Sequence, residues 1–293
     1  GTLQVAGVMN WTGGFMDGGG ETEIAAGGTL NISGSEQKRL AYRTLSNTGT
    51  VVWSDTGDLY GVRSSNPTLI NNAGLFEIQN SNTLGVVAGT DDFPTFNNAG
   101  VLRKTIDTGT TDFGSWVLNH SGTIDIQTGT LAIQGDIENP AGGIIQGSGS
   151  LVVNLLTNQG TINPGDSPGL LTITGNTTLD AAGTINIELG GLAVGTDYDR
   201  IFVDDNAILG GTLNVTLIDS FVPQVGNQFD VLTYTSFSGQ FDTENLPTLT
   251  GGLQWNMDYG PTAVVLEVID PATFDGDSDG LPDSWEQRSE EHT

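Results

Sequence analysis

The chain contains no cysteine, so disulfides, iron–sulfur clusters and thiolate zinc sites are closed to it. Positive charge is scarce: 8 Lys and Arg stand against 35 Asp and Glu, for a net charge of −27. Such a surface repels nucleic acid and anionic lipid and attracts divalent cations. Nucleic acid is therefore excluded as an expected partner. No apolar run approaches the roughly 18 residues a membrane helix needs, so no membrane insertion is expected within the chain. Histidine is limited to His120 and His292, and no segment before Ile269 carries a helix pattern.

What is abundant is glycine, 43 residues of 293, and it returns in a phrase. The phrase reads Asn47-Thr48-Gly49, Asn72-Ala73-Gly74, Asn98-Ala99-Gly100, Asn119-His120-Ser121-Gly122, Asn139-Pro140-Ala141-Gly142 and Asn158-Gln159-Gly160. Its glycines are 25, 26, 22, 20 and 18 residues apart. Related bursts begin at Gly28, Gly183 and Gly211. Self-similarity at this period marks a solenoid, whose repeats bury their apolar faces by stacking.

After each glycine the residues alternate apolar and polar, as in Thr123-Ile124-Asp125-Ile126, the period of a strand with one buried face. Asn and Gly suit the corners because both tolerate positive φ. A coil of this length holds three short strands. The expected fold is all-β: a right-handed parallel β-helix over residues 1–190, followed by a C-terminal β-rich cap over 191–269. Residues 270–287 read as an acidic calcium-binding linker. Residues 288–293, Arg-Ser-Glu-Glu-His-Thr, match the translation of a common sequencing-adapter oligonucleotide and are set aside. The opening Gly1-Thr2-Leu3-Gln4-Val5 lies inside a strand pattern without Met, so the natural start is expected upstream.

The phrase 161–169, Thr-Ile-Asn-Pro-Gly-Asp-Ser-Pro-Gly, with Leu171-Thr172-Ile173-Thr174-Gly175, resembles the passenger repeats of autotransporter-like bacterial surface proteins. So do 198–203 and 209–215. The resemblance covers about residues 1–268 and implies a β-helical extracellular stalk or adhesin.

The sharpest motif begins at Asp275. Acids fall at positions 1, 3, 5, 9 and 12 of the loop 275–286, with Gly280 at position 6, the pattern of an EF-hand calcium loop. In that pattern Asp275, Asp277 and Asp279 would point their carboxylates to one centre and Leu281 would offer its carbonyl. Asp283 could bind directly or through water, and Glu286 could close the shell. Calcium is thus the expected cofactor. The loop resembles the calcium repeats of dockerins and thrombospondin type-3 segments.

Other motifs carry less. Gly165-Asp166-Ser167-Pro168-Gly169 satisfies G-x-S-x-G, but Pro168 lacks the N–H that an oxyanion hole takes from that position. His120 reads as a solvent-facing turn residue. A polysaccharide lyase would draw on Arg103, Lys104 and Asp107, on one coil, and a glycosidase on two facing carboxylates. Most acids, Asp197, Asp199, Asp204 and Asp205 among them, read as solvated surface charge. Thr29, Thr50, Thr123, Thr130, Thr161, Thr184 and Thr212 each follow a glycine; stacked, they would form a ladder, though their uneven steps argue for simple strand-start packing.

The expectation is a secreted or cell-surface bacterial structural protein serving display, spacing or adhesion, not an enzyme. Surface glycans or other cell-surface proteins are its expected partners. The alternative is a carbohydrate-active β-helix enzyme.

Overall fold

Leu30, Val51, Phe76, Leu102, Ile124, Ile145, Ile162, Ile185 and Leu213 stand in register on consecutive parallel strands, one above the next. That interior column defines the architecture of the computed structural model, which describes residues 1–274 apart from Ala88, Thr90 and Asp166. Three sheets of 8, 11 and 9 strands wrap around it. The first runs from Thr2–Val5 to Val117–His120, the second from Val8–Trp11 to Thr243–Asn245, and the third starts at Thr110–Asp112. Before residue 110 the chain moves between the first and second sheets, and after residue 120 between the second and third, with strands stacking in parallel on those of the coil before, so this is an all-β parallel β-solenoid. Ten steps of about 4.8 Å make the second sheet roughly 48 Å long.

Asn47, Asn72, Asn98, Asn139 and Asn158 form one buried polar column, in which His120, and not Asn119, supplies the rung between Asn98 and Asn139. Asn47 Nδ2 donates to Asn72 Oδ1 (2.8 Å), Asn72 to Asn98 (2.8 Å), and Asn139 to Asn158 (2.6 Å). The same amide nitrogens donate to main-chain carbonyls of the following coil, Leu75, Val101 and Thr161. Neither these asparagines nor Gly49, Gly74, Gly100, Gly122 and Gly160 have positive φ. This corrects the expected reason for the phrase at those five glycines, whereas Gly142 (φ +88°) and Gly211 (φ +67°) do take the positive φ expected of them. A Cβ on Gly100 would overlap the backbone of Ala73 and Gly74 in the preceding coil, and one on Gly122 would overlap Ala99 and Gly100. Glycine is required by close stacking, and asparagine by the ladder.

Elsewhere the corner is built without a loop. Gly14–Ile24, Ser150–Asn158 and Arg200–Leu209 are long strands that bend at register shifts and so serve two faces. Parallel pairing continues past residue 190: Thr184–Leu189 pairs with Thr212–Leu217, and Arg200–Leu209 with Gln228–Gly239. The direction then reverses. Ala263–Ile269 pairs antiparallel with both Gln228–Gly239 and Gln254–Tyr259. Phe229 packs there between Tyr198 (5.3 Å) and Trp255 (6.0 Å), closing that end of the core with aromatic area.

Candidate functional site

The second sheet presents its outward side chains in rows, because residues two apart on a strand share a face. Thr29 and Thr50 are neighbours in one row, and Thr161, Thr184, Thr212 and Thr243 form an unbroken run further along it. Leu75, Val101 and Ile144 interrupt the row around Thr123, and Thr130 belongs to the third sheet. Uneven sequence steps do not spoil the stack, since loops between strands absorb the extra residues.

Two residues further along each strand lies a second row. Asn186 Nδ2 donates to Asn163 Oδ1 (2.8 Å), Asn214 to Asn186 (2.9 Å) and Asn245 to Asn214 (2.8 Å). Unlike the corner ladder this one is outward and half-exposed. Thr184–Leu189 and Thr212–Leu217 are six residues long, against four in Thr161–Pro164. Their added outward residues, Glu188 and Thr216, stand side by side. With Asn163, Asn186, Asn214, Ser167 and Asp199 they line a groove of about 500 Å³.

Two carboxylates meet this groove in different states. Glu188 is half-buried and accepts a hydrogen bond from Ser167 Oγ. Asp199 is 2% exposed, so the expectation of a solvated surface acid is overturned there. Its Oδ1 accepts from the Gly169 N–H (2.6 Å) and its Oδ2 from the Glu188 N–H (2.9 Å). It therefore ties the turn before Leu170 to the strand carrying Glu188. Burial pushes its pKa up to about 7, against the pull of the two N–H donors, and the Glu188 charge adds to the rise.

The lyase candidates do not converge. Arg103 points outward and pairs with Asp125 (2.7 Å). Lys104, its neighbour, points inward between Ile78 and Ile126. There its Nζ donates to the Asn80 carbonyl (2.8 Å) and Thr111 Oγ1 (3.1 Å), and desolvation lowers its pKa. Asp107 sits in the next corner, bound by Ser81 Oγ and the Gly109 N–H. Alternation along one strand sends adjacent residues to opposite sides, which sharing a coil does not reveal.

His120 also departs from expectation. It is a buried rung of the corner ladder, bridging Asn98 and Asn139, and burial lowers its pKa to about 4. With both ring nitrogens engaged it is no base for Ser167. Asp197 shapes its own loop, accepting from the Ala193 N–H, while Asp204 and Asp205 are exposed. Among the described residues no three His, Cys, Asp or Glu side chains gather as a metal site. The expected calcium ligands Asp275, Asp277, Asp279, Leu281, Asp283 and Glu286 lie outside the described residues. No helix among the described residues is long and apolar enough to cross a membrane. The amide row and the groove escaped the sequence reading; the signal was the repeated Thr-x-Asn at 161–163, 184–186 and 212–214. No protein-family model matches the chain, and no curated protein matches it either.

Proposed function

We propose that this is a secreted or cell-surface bacterial structural protein whose solenoid spaces and displays, and whose polar groove adheres to glycans. The observation that carries the reading is the outward amide row Asn163–Asn186–Asn214–Asn245 beside a row of threonine hydroxyls. Hydroxyl-rich chains need donors and acceptors in close alternation, and primary amides offer both. The rungs repeat at about 4.8 Å, on the order of one sugar ring per rung in an extended chain. A calcium-stabilised linker at residues 270–287 belongs to the same proposal.

The enzymatic rival draws less support. Glycoside hydrolysis needs two carboxyl groups that reach the substrate, and Asp199 has both oxygens turned to backbone N–H groups. Among the described residues that leaves Glu188 as the one carboxylate of the groove lining free to meet a ligand. Arg103 and Lys104, the candidate bases, are engaged elsewhere.

The test is binding of the full chain to a panel of neutral, acidic and amine-bearing oligosaccharides, with Asn186→Ala/Asn214→Ala as comparison. The expected result is binding weakened at least tenfold in the variant, with an unchanged circular dichroism spectrum. Absence of binding across the panel overturns the glycan reading. Release of new reducing ends or unsaturated sugars would replace it with the enzymatic one.

A further inference from the structure

We infer that the groove selects glycans bearing free amines over acidic or N-acylated ones, with Glu188 as the group that reads the charge; this deepens, and rests on, the glycan reading above. Among the described residues the groove lining contains two acids, Glu188 and Asp199, and no Lys, Arg or His. Its remaining polar side chains are the amides of Asn163, Asn186 and Asn214 with the hydroxyls of Ser167 and Thr216. A uronic acid or sulfated sugar entering there would meet uncompensated negative charge, in a chain already at −27. An ammonium meets the opposite.

Glu188 is set up for that contact. Among the described residues its carboxylate takes one hydrogen bond, from Ser167 Oγ to Oε2, which leaves Oε1 for a ligand. The backbone beneath it is fixed, because the Glu188 N–H donates to Asp199 and the Glu188 carbonyl accepts from the Asp199 N–H (3.0 Å). Thr216 stands beside it on the next strand and Asn186 two residues before it on the same face. An amine held by Oε1 thus has a hydroxyl and an amide oxygen within the same lining, matching the three donors of an ammonium. A divalent cation fits worse: among the described residues two carboxylates, one of them closed off, fall short of the six or more oxygens a hard ion takes.

Affinity of the full chain for a glucosamine trisaccharide, its N-acetylated counterpart and a uronic-acid trisaccharide decides the matter, measured at mildly acidic pH for wild type and Glu188→Gln. The expected order is amine over N-acetyl by about tenfold, the scale of a charge-assisted hydrogen bond, with the uronic sugar weakest. Glu188→Gln abolishes the amine preference, and a circular dichroism spectrum unchanged from wild type reports that the variant is folded. Equal binding of all three sugars, or an amine preference that Glu188→Gln leaves intact through general attraction to an acidic surface, overturns the inference and leaves the glycan reading standing. Failure of all three to bind overturns both.

Discussion

His120 Nε2 lies 3.2 Å from Asn139 Oδ1, inside a column otherwise made of asparagine amides. On its other side Nδ1 faces Asn98 Nδ2 at 3.3 Å. Asn98 Nδ2 also donates to the Thr123 carbonyl (2.9 Å), so its amide cannot turn over, and Nδ1 must be the acceptor. The ring is therefore neutral with its proton on Nε2. Protonation would set two donors face to face in a buried site. Its pKa falls from 6.5 to about 4, chiefly through desolvation. A base whose folded pKa is depressed contributes stability that is present above its unfolded value and is lost as pH falls through the folded one. Thermal unfolding followed by circular dichroism is expected to weaken from about pH 6.5 towards pH 4. His120→Asn, which supplies the rung used on both sides, removes that part of the acid sensitivity. An unchanged pH slope in the variant would refute the assignment.

The two asparagine rows differ in burial, and so in cost when broken. Asn72 accepts from Asn47 and donates to Asn98 and to the Val101 carbonyl, all in the interior. Asn72→Ala strands those partners away from water, so a loss of about 2–4 kcal/mol is expected from urea midpoints. Asn97 makes similar amide bonds to Asn71 and Asn119 on the half-exposed face. Water replaces them there, and Asn97→Ala is expected to cost about 0.5 kcal/mol. Equal losses would show that the buried ladder is not what holds the corner.

The contrast between those rows also explains what could be read from the sequence. Alternation in segments such as Thr123–Ile126 and the returning Asn–Gly phrase are enough for a stacked parallel fold, because both patterns are local. The reason for the phrase is not local. A glycine excluded by the backbone one coil away, as at Gly122, looks in sequence like a glycine chosen for positive φ. Likewise nothing local separates Asp199 from Asp197. Its burial follows from where the loop 190–199 returns against the turn of the preceding coil, a distance of about thirty residues along the chain for the Gly169 contact. Lys104 misleads for the same cause: its strand phase is legible, but its charge argues for the wrong side.

Gly100→Ala places a methyl group against the backbone of Ala73 and Gly74, which cannot rotate aside. A loss of about 3 kcal/mol or more is expected in chemical denaturation. Gly142 has φ +88° and open space within 4 Å of the point where a methyl group would sit. Gly142→Ala therefore carries the conformational cost alone, about 1–2 kcal/mol.

For the acidic linker, isothermal titration of the full chain with Ca²⁺ is the measurement. One weak site is expected, with Kd on the order of 10⁻⁴–10⁻³ M, as for isolated extracellular modules. Asp277→Asn combined with Glu286→Gln removes two of the charged ligands and should abolish the heat. Absence of heat from the parent chain at millimolar metal would dispose of the calcium proposal.

Asp199 predicts a pH dependence of the opposite sign to that of His120. Its folded pKa is raised from 3.8 to about 7, so the folded state holds a proton that the unfolded chain has released. The stability it contributes is complete below about pH 4 and is lost as pH rises towards 7. The two windows overlap between pH 4 and 6.5, so the measurement belongs in a His120→Asn background. There the unfolding midpoint is expected to decline across that range, and Asp199→Asn should flatten the decline. The same substitution lowers the whole curve by about 1–2 kcal/mol, because a side-chain amide accepts from one backbone N–H and presents its own donors to the other. A variant with the parental slope would mean that the two N–H donors, from Gly169 and Glu188, outweigh desolvation and keep the carboxylate ionised throughout.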